Sequence, residues 1–186
     1  MLSVDRQGAE RVATALKARP PQWSAVIHLG AESQAKGLRL ETAAANVLAM
    51  PDSHAWSADI PCDKTGTKYT NINVTEPCLL ATTAPLGRLS LPTDQHGYRW
   101  PKNEVWSRDA GSFFCNEVYF RSLSVIRSGI EVAPGMATPS LLPVLFVHLP
   151  VWGVGDPHTS QLSEIIGSIV SDVVRAESHL GLQIVS

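Results

Sequence analysis

Charged side chains are scarce in this sequence, and they form no run of one sign. Aspartate, glutamate, lysine and arginine make up 17% of the 186 residues, and the formal net charge is -2. Nucleic acids and anionic membranes are bound by concentrated positive charge, so neither is an expected partner. Hydrophobic residues make up 44% of the chain, an ordinary globular share that argues against disorder. A chain of this length is expected to form a single domain over residues 1–186.

Cysteine is also scarce, and the usual motifs for metals and cofactors are missing. Cys62, Cys78 and Cys115 form no C-x-x-C pair, and their odd number argues against a complete disulfide framework. The sequence has no H-E-x-x-H motif and no full dinucleotide fingerprint, so neither a metal nor a cofactor is expected. No long uncharged apolar stretch occurs, and charged residues interrupt the start of the chain. A cytoplasmic protein is therefore expected.

Two apolar runs predict buried strands of a parallel sheet, over residues 23–30 and 144–149. Residues 103–108 are a weaker candidate strand. The pattern in residues 38–47 fits a strand or a helix equally well, and both readings stay open. Residues 51–77 are rich in turn formers and predict a long irregular excursion with one hairpin.

Helical spacing of apolar residues predicts helices over residues 5–19 and 111–127, and the first part of residues 76–91 also reads as helical. The last helix has the clearest pattern, with Thr159 or Ser160 as its N-cap. Its apolar face, which should pack on the sheet, consists of Leu162, Ile165, Ile166, Ile169, Val170, Val173 and Val174. Strands followed by helices predict an α/β fold, a three-layer α/β/α sandwich with a mostly parallel twisted sheet.

Cys115 is the best candidate for a reactive group. It follows Gly111 at the start of a predicted helix, where free backbone N–H groups and the helix dipole favour a thiolate and a neighbouring oxyanion. A free cysteine is also among the residue types most often buried as a small hydrophobe. Position alone leaves both interpretations open.

His148 and Glu41 could assist such a cysteine. His148 ends a predicted parallel strand, at the edge of the sheet where active sites of α/β proteins form, so it could act as a general base. Such a histidine can equally be a hydrogen-bonded core residue. Glu41 could orient the imidazole, although an isolated glutamate near an arginine is more often a solvated charge or an ion-pair partner.

Three segments of the chain resemble a known family. Residues 109–116, Asp-Ala-Gly-Ser-Phe-Phe-Cys-Asn, resemble the nucleophile segment of pyroglutamyl peptidase I, also called pyrrolidone-carboxylate peptidase, in which Ala-Gly precedes Cys-Asn or Cys-Asp. Glu41-x-x-x-x-Asn46 is similar to the element that carries the family's glutamate. Residues 146–150, Phe-Val-His-Leu-Pro, are similar to the element that carries its histidine. The three segments occur in the family's order.

The resemblance implies a cysteine-type omega peptidase with an α/β/α fold and no cofactor. In this chain Cys115 would be the nucleophile, His148 the base and then the acid, and Glu41 the group that orients the imidazole. The enzyme would remove an N-terminal pyroglutamyl residue through an acyl-enzyme, so its partner would be a peptide with a blocked N-terminus. Family members often form dimers or tetramers, which makes a homo-oligomer an expectation.

The start of the chain departs from this family. Family members open with a strand and a Gly-Phe-x-Pro-Phe-Gly loop whose aromatic side chains help hold the pyroglutamyl ring, and nothing in residues 1–30 resembles that loop. Two other functions therefore stay open. One is a catalytically silent relative that binds a peptide or metabolite. The other is a cysteine amidohydrolase that uses the same three residues on another small amide.

Overall fold

A computed structural model describes residues 6–17, 23–35, 37–50, 67–91, 105–128, 141–151, 156 and 158–180. Its α-helices are α1 (Arg6–Lys17), α2 (Phe114–Arg127) and α3 (His158–Leu180), and a short 3-10 turn spans Leu86–Arg88. The strands are β1 (Val26–Glu32), β2 (Arg39–Glu41), β3 (Ala43–Ala45), β4 (Leu48–Met50), β5 (Lys68–Thr70), β6 (Leu79–Ala81), β7 (Trp106–Ser107) and β8 (Val144–Pro150).

Four strands form the central sheet in the order β1-β8-β2-β7. β1 runs parallel to β8, and β2 runs parallel to β7, whereas β2 and β8 are antiparallel. The α/β class and the mostly parallel sheet are thus confirmed, with one antiparallel pairing at the centre. Two small antiparallel pairs, β3 with β6 and β4 with β5, lie outside this sheet.

β8 is buried on both faces, which gives the molecule its three layers. Val144 and Phe146 belong to a core cluster with residues of α2, whereas Leu145 and Val147 belong to a cluster with residues of α3. Alternate residues of a strand point to opposite faces, so the continuous apolar run is what a central strand between two helical layers requires. α1 packs against α2.

β1 is an edge strand rather than the buried strand that its apolar run predicts. Among its seven residues only His28 is buried, and Leu29 is 53% exposed. The outer edge of β1 pairs with no strand in the described part of the chain. A run of apolar residues indicates a strand, but it cannot show whether both neighbouring positions in the sheet are filled.

The shorter elements agree with the sequence predictions in some segments and differ from them in others. The strand interpretation of residues 38–47 is correct, since they form β2 and β3. Residues 76–91 were expected to begin with a helix, which is wrong: they contain β6 and the 3-10 turn. β5 pairs with β4 in antiparallel fashion, while residues 51–66, which connect them and include Cys62, lie outside the described residues, so the expected hairpin within residues 51–77 stays a prediction. The candidate strand over residues 103–108 is described only from residue 105, and this part contains β7.

α3 differs from expectation at its start and along its apolar face. The helix begins at His158, and the carboxylate of Asp156 accepts a hydrogen bond from the His158 N–H at 2.9 Å, so neither Thr159 nor Ser160 is the cap. Val173 is completely buried, but Val170 is 39% exposed and so is not part of the packed face. Val174 is likewise 37% exposed. Of the helices in the described ranges, none has the length and apolar character needed to cross a membrane.

Candidate active site

The three residues singled out from the sequence meet on one face of the central sheet. Glu41 ends β2, His148 lies near the end of β8, and Cys115 is in the first turn of α2. In the register of the antiparallel pair, Glu41 is opposite Phe146 and Arg39 is opposite His148, so all four side chains share the face that α2 covers. More than 100 residues of sequence separate Glu41 from His148, and the sheet brings them into contact.

Glu41 and His148 form a buried hydrogen bond. His148 Nδ1 lies 2.8 Å from Glu41 Oε1, and the two residues are 3% and 0% exposed. A carboxylate can only accept a hydrogen bond, so Nδ1 carries the proton. This fixes the ring and leaves Nε2 to interact with another group.

Cys115 is the group next to this ring. Its side chain is half-buried and lies near enough to His148 to raise the pKa of the imidazole. Burial by itself lowers the pKa of His148, but hydrogen bonds to Cys115 and Glu41 and the negative charges of these two residues raise it to about 9. His148 is therefore stabilised as an imidazolium between two acidic partners. The first turn of α2 leaves backbone N–H groups without helical acceptors beside the sulfur, which suits a developing negative charge.

The segment before α2 is held in a defined bend. Gly111 has a positive φ of 81°, a conformation that residues with a Cβ rarely adopt. Its N–H donates to Asp109 Oδ1 at 2.9 Å, and the Asp109 N–H donates to Ser107 Oγ at 3.1 Å. These bonds connect the end of β7 to the helix start, so the position of Cys115 depends on the sheet as well as on α2.

Two asparagines hold the surrounding loops, a role that the sequence analysis did not assign to them. Asn116 is fully buried and bonds the backbone of Ala45 twice and that of Val47 once, at 2.8–2.9 Å. Asn46 donates to the backbone oxygens of Asn73 and Glu76 and accepts the Asn73 N–H. Both asparagines occur in the segments that resemble the family, so the signal was present without a physical role attached.

Gly30 and Tyr119 complete the packing around the three residues. A Cβ on Gly30 would lie 2.7 Å from Phe146 Cζ and 3.2 Å from Cys115 Sγ, so only glycine leaves room there. The Tyr119 hydroxyl donates to the Glu41 backbone oxygen at 2.8 Å, and burial raises the pKa of Tyr119. Neither contact followed from the sequence pattern, because both depend on how β1 pairs with β8 and how α2 packs on the sheet.

A metal has no evident place here. In the portion of the chain that the structure describes, no three or more histidine, cysteine, aspartate or glutamate side chains cluster in a way that could hold an ion. Cys78 and Cys115 are both free thiols.

No protein-family model matches the chain, and no curated protein matches it either.

Comparison with solved structures does find similar proteins. Pyrrolidone carboxyl peptidase from Thermus thermophilus is 25% identical, with 93% of this chain covering 79% of that one at a TM-score of 0.53. A mutant (E192Q) of the Pyrococcus furiosus enzyme is 20% identical, with coverages of 94% and 79% and a TM-score of 0.61. Pyroglutamyl peptidase I from Bacillus amyloliquefaciens is 17% identical, with coverages of 94% and 76% and a TM-score of 0.59. The chain therefore has the α/β fold of the pyrrolidone carboxyl peptidases.

Proposed function

We propose that this protein is a cysteine-type omega peptidase that removes an N-terminal pyroglutamyl residue from peptides. The observation that carries the proposal is the buried Glu41–His148 hydrogen bond with Cys115 beside the imidazole and in the first turn of a helix. A cysteine beside an imidazole that is itself oriented by a third group is the arrangement that nucleophilic catalysis requires. The choice of substrate rests on the names of the structurally similar enzymes.

Each of the three residues has a distinct role in the proposed reaction. In the reactive pair the proton of Cys115 has already passed to His148, and Sγ forms a bond to the carbonyl carbon of the pyroglutamyl residue. Backbone N–H groups at the start of α2 stabilise the resulting oxyanion. The C–N bond then breaks as the imidazolium gives its proton to the leaving amine, and Glu41 keeps the imidazole in its orientation throughout.

Water completes the cycle. His148, now neutral, accepts a proton from the attacking water, whose oxygen bonds to the carbonyl carbon of the thioester. The C–S bond breaks, the sulfur recovers its proton or remains a thiolate beside the imidazolium, and free pyroglutamate leaves. No cofactor takes part in this scheme. Two free thiols also fit the reducing environment of a cytoplasmic enzyme.

Hydrolysis of a fluorogenic pyroglutamyl amide by the purified chain tests the proposal, with Cys115→Ser as the key variant. Turnover should fall at least about a thousandfold in Cys115→Ser and in His148→Ala, because each loses a group that acts on the reacting atoms. Cys78→Ser is the matched control, since Cys78 is also a free thiol but is exposed. It should keep wild-type turnover.

Thiol alkylation separates the outcomes if the amide is not cleaved. Cys115 in an activated pair reacts with iodoacetamide below about pH 8, where an ordinary thiol is mostly protonated. Alkylation of Cys115 without cleavage of the pyroglutamyl amide would indicate that the substrate is another small amide. A folded protein whose Cys115 reacts no faster than Cys78 would contradict the peptidase and favour a catalytically silent binding protein.

A further inference from the structure

Arg39 is the residue of β2 that lies across from His148. It is two positions from Glu41, so the two side chains share one face of the sheet. Its side chain is 26% exposed, which places the guanidinium at the border between the buried pair and solvent. The scheme above gives it no role.

The guanidinium contacts two parts of the site at once. Nη2 donates to Ser107 Oγ at 2.9 Å and to the Asp109 backbone oxygen at 3.2 Å. The same Nη2 lies 3.7 Å from Glu41 Oε1, the oxygen that also accepts the His148 Nδ1–H. Arg39 thus joins the carboxylate to the bend that leads into α2 and Cys115.

Glu41 carries a buried negative charge that this cation compensates through charge alone, without a hydrogen bond. The residue is fully buried, and its Oε2 has no hydrogen-bond partner among the described residues. A buried carboxylate is costly unless opposite charge and hydrogen bonds compensate it. Arginine suits this task because its guanidinium keeps its charge at every accessible pH and bonds in a fixed plane.

We propose that Arg39 is a positioning residue for the reaction proposed above: it holds the Glu41 carboxylate and the segment before Cys115 in register, so that the His148 ring faces the sulfur. This role rests on the proposed function. Arg39 does not touch the reacting atoms, and it acts through Glu41 and through Ser107 and Asp109.

The charged and titratable groups around this pair set the expected direction of a pH effect. They are Arg39 and Glu41 on β2, His148 on β8, His28 on β1, Cys115 and Tyr119 on α2, and Asp109 in the segment before α2. Among them Arg39 is the fixed cation closest to Glu41. Its loss removes a positive charge that repels the His148 imidazolium, so the pH range over which this ring stays protonated extends upward.

The rate of Cys115 alkylation by iodoacetamide, followed against pH by mass spectrometry, tests this role without any substrate. Arg39→Gln removes the charge but keeps amide donors, and it should move the pH profile upward by about one unit. Arg39→Lys keeps the charge and should leave the profile near that of the wild type. Arg108→Gln is the control, because Arg108 is an exposed residue of the same segment.

Turnover of the pyroglutamyl amide supplies a second measure. Arg39→Gln should lower kcat about tenfold with KM changed less than about twofold, since it alters the pair and not the binding of substrate. An Arg39→Gln profile that overlays the wild type would overturn the positioning role, even if the variant were less stable. A wild-type Cys115 that reacts no faster than Cys78 would instead overturn the proposed function itself.

Discussion

Gly30 is the residue at which a missing side chain matters most. It lies opposite His148 in the register of β1 and β8, and a Cβ there would come within 2.7 Å of the Phe146 ring. That ring is buried and lies 4.7 Å from the His148 ring, so it has little space to give way. A side chain at position 30 would therefore displace the Phe146 ring and, through it, the ring of His148, the proposed base.

Gly30→Ala should destabilise the fold and slow the chemistry together. Overpacking of a close-packed site typically costs about 1–3 kcal/mol, and a displaced Phe146 ring should lower the rate of Cys115 alkylation. Gly167→Ala is the matched control, because a Cβ on this α3 residue meets nothing within 4 Å. It should stabilise the helix by about 0.5–1 kcal/mol. Urea denaturation and iodoacetamide kinetics measure both effects, and an unchanged alkylation rate in Gly30→Ala would contradict the proposed coupling.

The elements that sequence patterns predict well are those with many buried residues in a row. β8 carries a continuous apolar run because both its faces are covered, and α2 combines helical spacing with a glycine-led start. The prediction failed at β6 because this strand has only three residues, and its one buried position, Leu80, cannot show a periodic pattern. Its pairing with β3 is set by distant contacts.

The candidate site shows the same division. Cys115 and His148 could be named because they lie at the ends of recognisable elements, and all three residues, including Glu41, match the family's segments in order. Arg39 could not, since its importance depends on the register between β2 and β8, which places it opposite His148. A shift of one residue in that register would turn Arg39 to the other face of the sheet. Sequence patterns carry no information that fixes such a register between strands so far apart in the chain.

α3 allows a test of which positions truly pack on the sheet. Val173 is completely buried in the cluster around Leu145 and Val147, whereas Val170 is 39% exposed. Val173→Asp buries an unpaired charge and should lower the free energy of unfolding by roughly 4 kcal/mol. Val170→Asp should change it by less than about 1 kcal/mol. Urea denaturation of the two variants compares them directly, and equal losses would show that α3 packs with a different face.

For the whole molecule, two buried histidines on one sheet face have pKa values shifted in opposite directions. His28 and His148 lie on either side of Phe146, with ring centroids 5.8 and 4.7 Å from it. Burial lowers the pKa of His28 to about 4, whereas hydrogen bonds to Cys115 and Glu41 overcome burial and raise that of His148 to about 9. Both rings are buried, so the difference in their charge comes from their partners, which are acidic for His148.

The tautomer of His28 follows from its one described partner. The Ser122 hydroxyl donates its proton to the Val118 backbone oxygen at 2.8 Å, so its oxygen accepts from His28 Nε2 at 3.0 Å. His28 is thus neutral with the proton on Nε2. Protonating the second ring nitrogen would place a charge in a buried site, which links this residue to the stability of the whole fold.

His28 should make the protein lose stability in mild acid. Its folded pKa of about 4 lies below the ordinary value of 6.5, so between these values the unfolded chain binds a proton that the folded chain does not. The free energy of unfolding from this group alone should fall by about 1.5 kcal/mol between about pH 6.5 and pH 5. His28→Gln cannot take up this proton, and its urea denaturation should show a loss over the same range that is smaller by that amount. If His28→Gln and the wild type lost stability in parallel, His28 would bind its proton equally well in the folded and unfolded chains, and the lowering of its pKa by burial would be wrong.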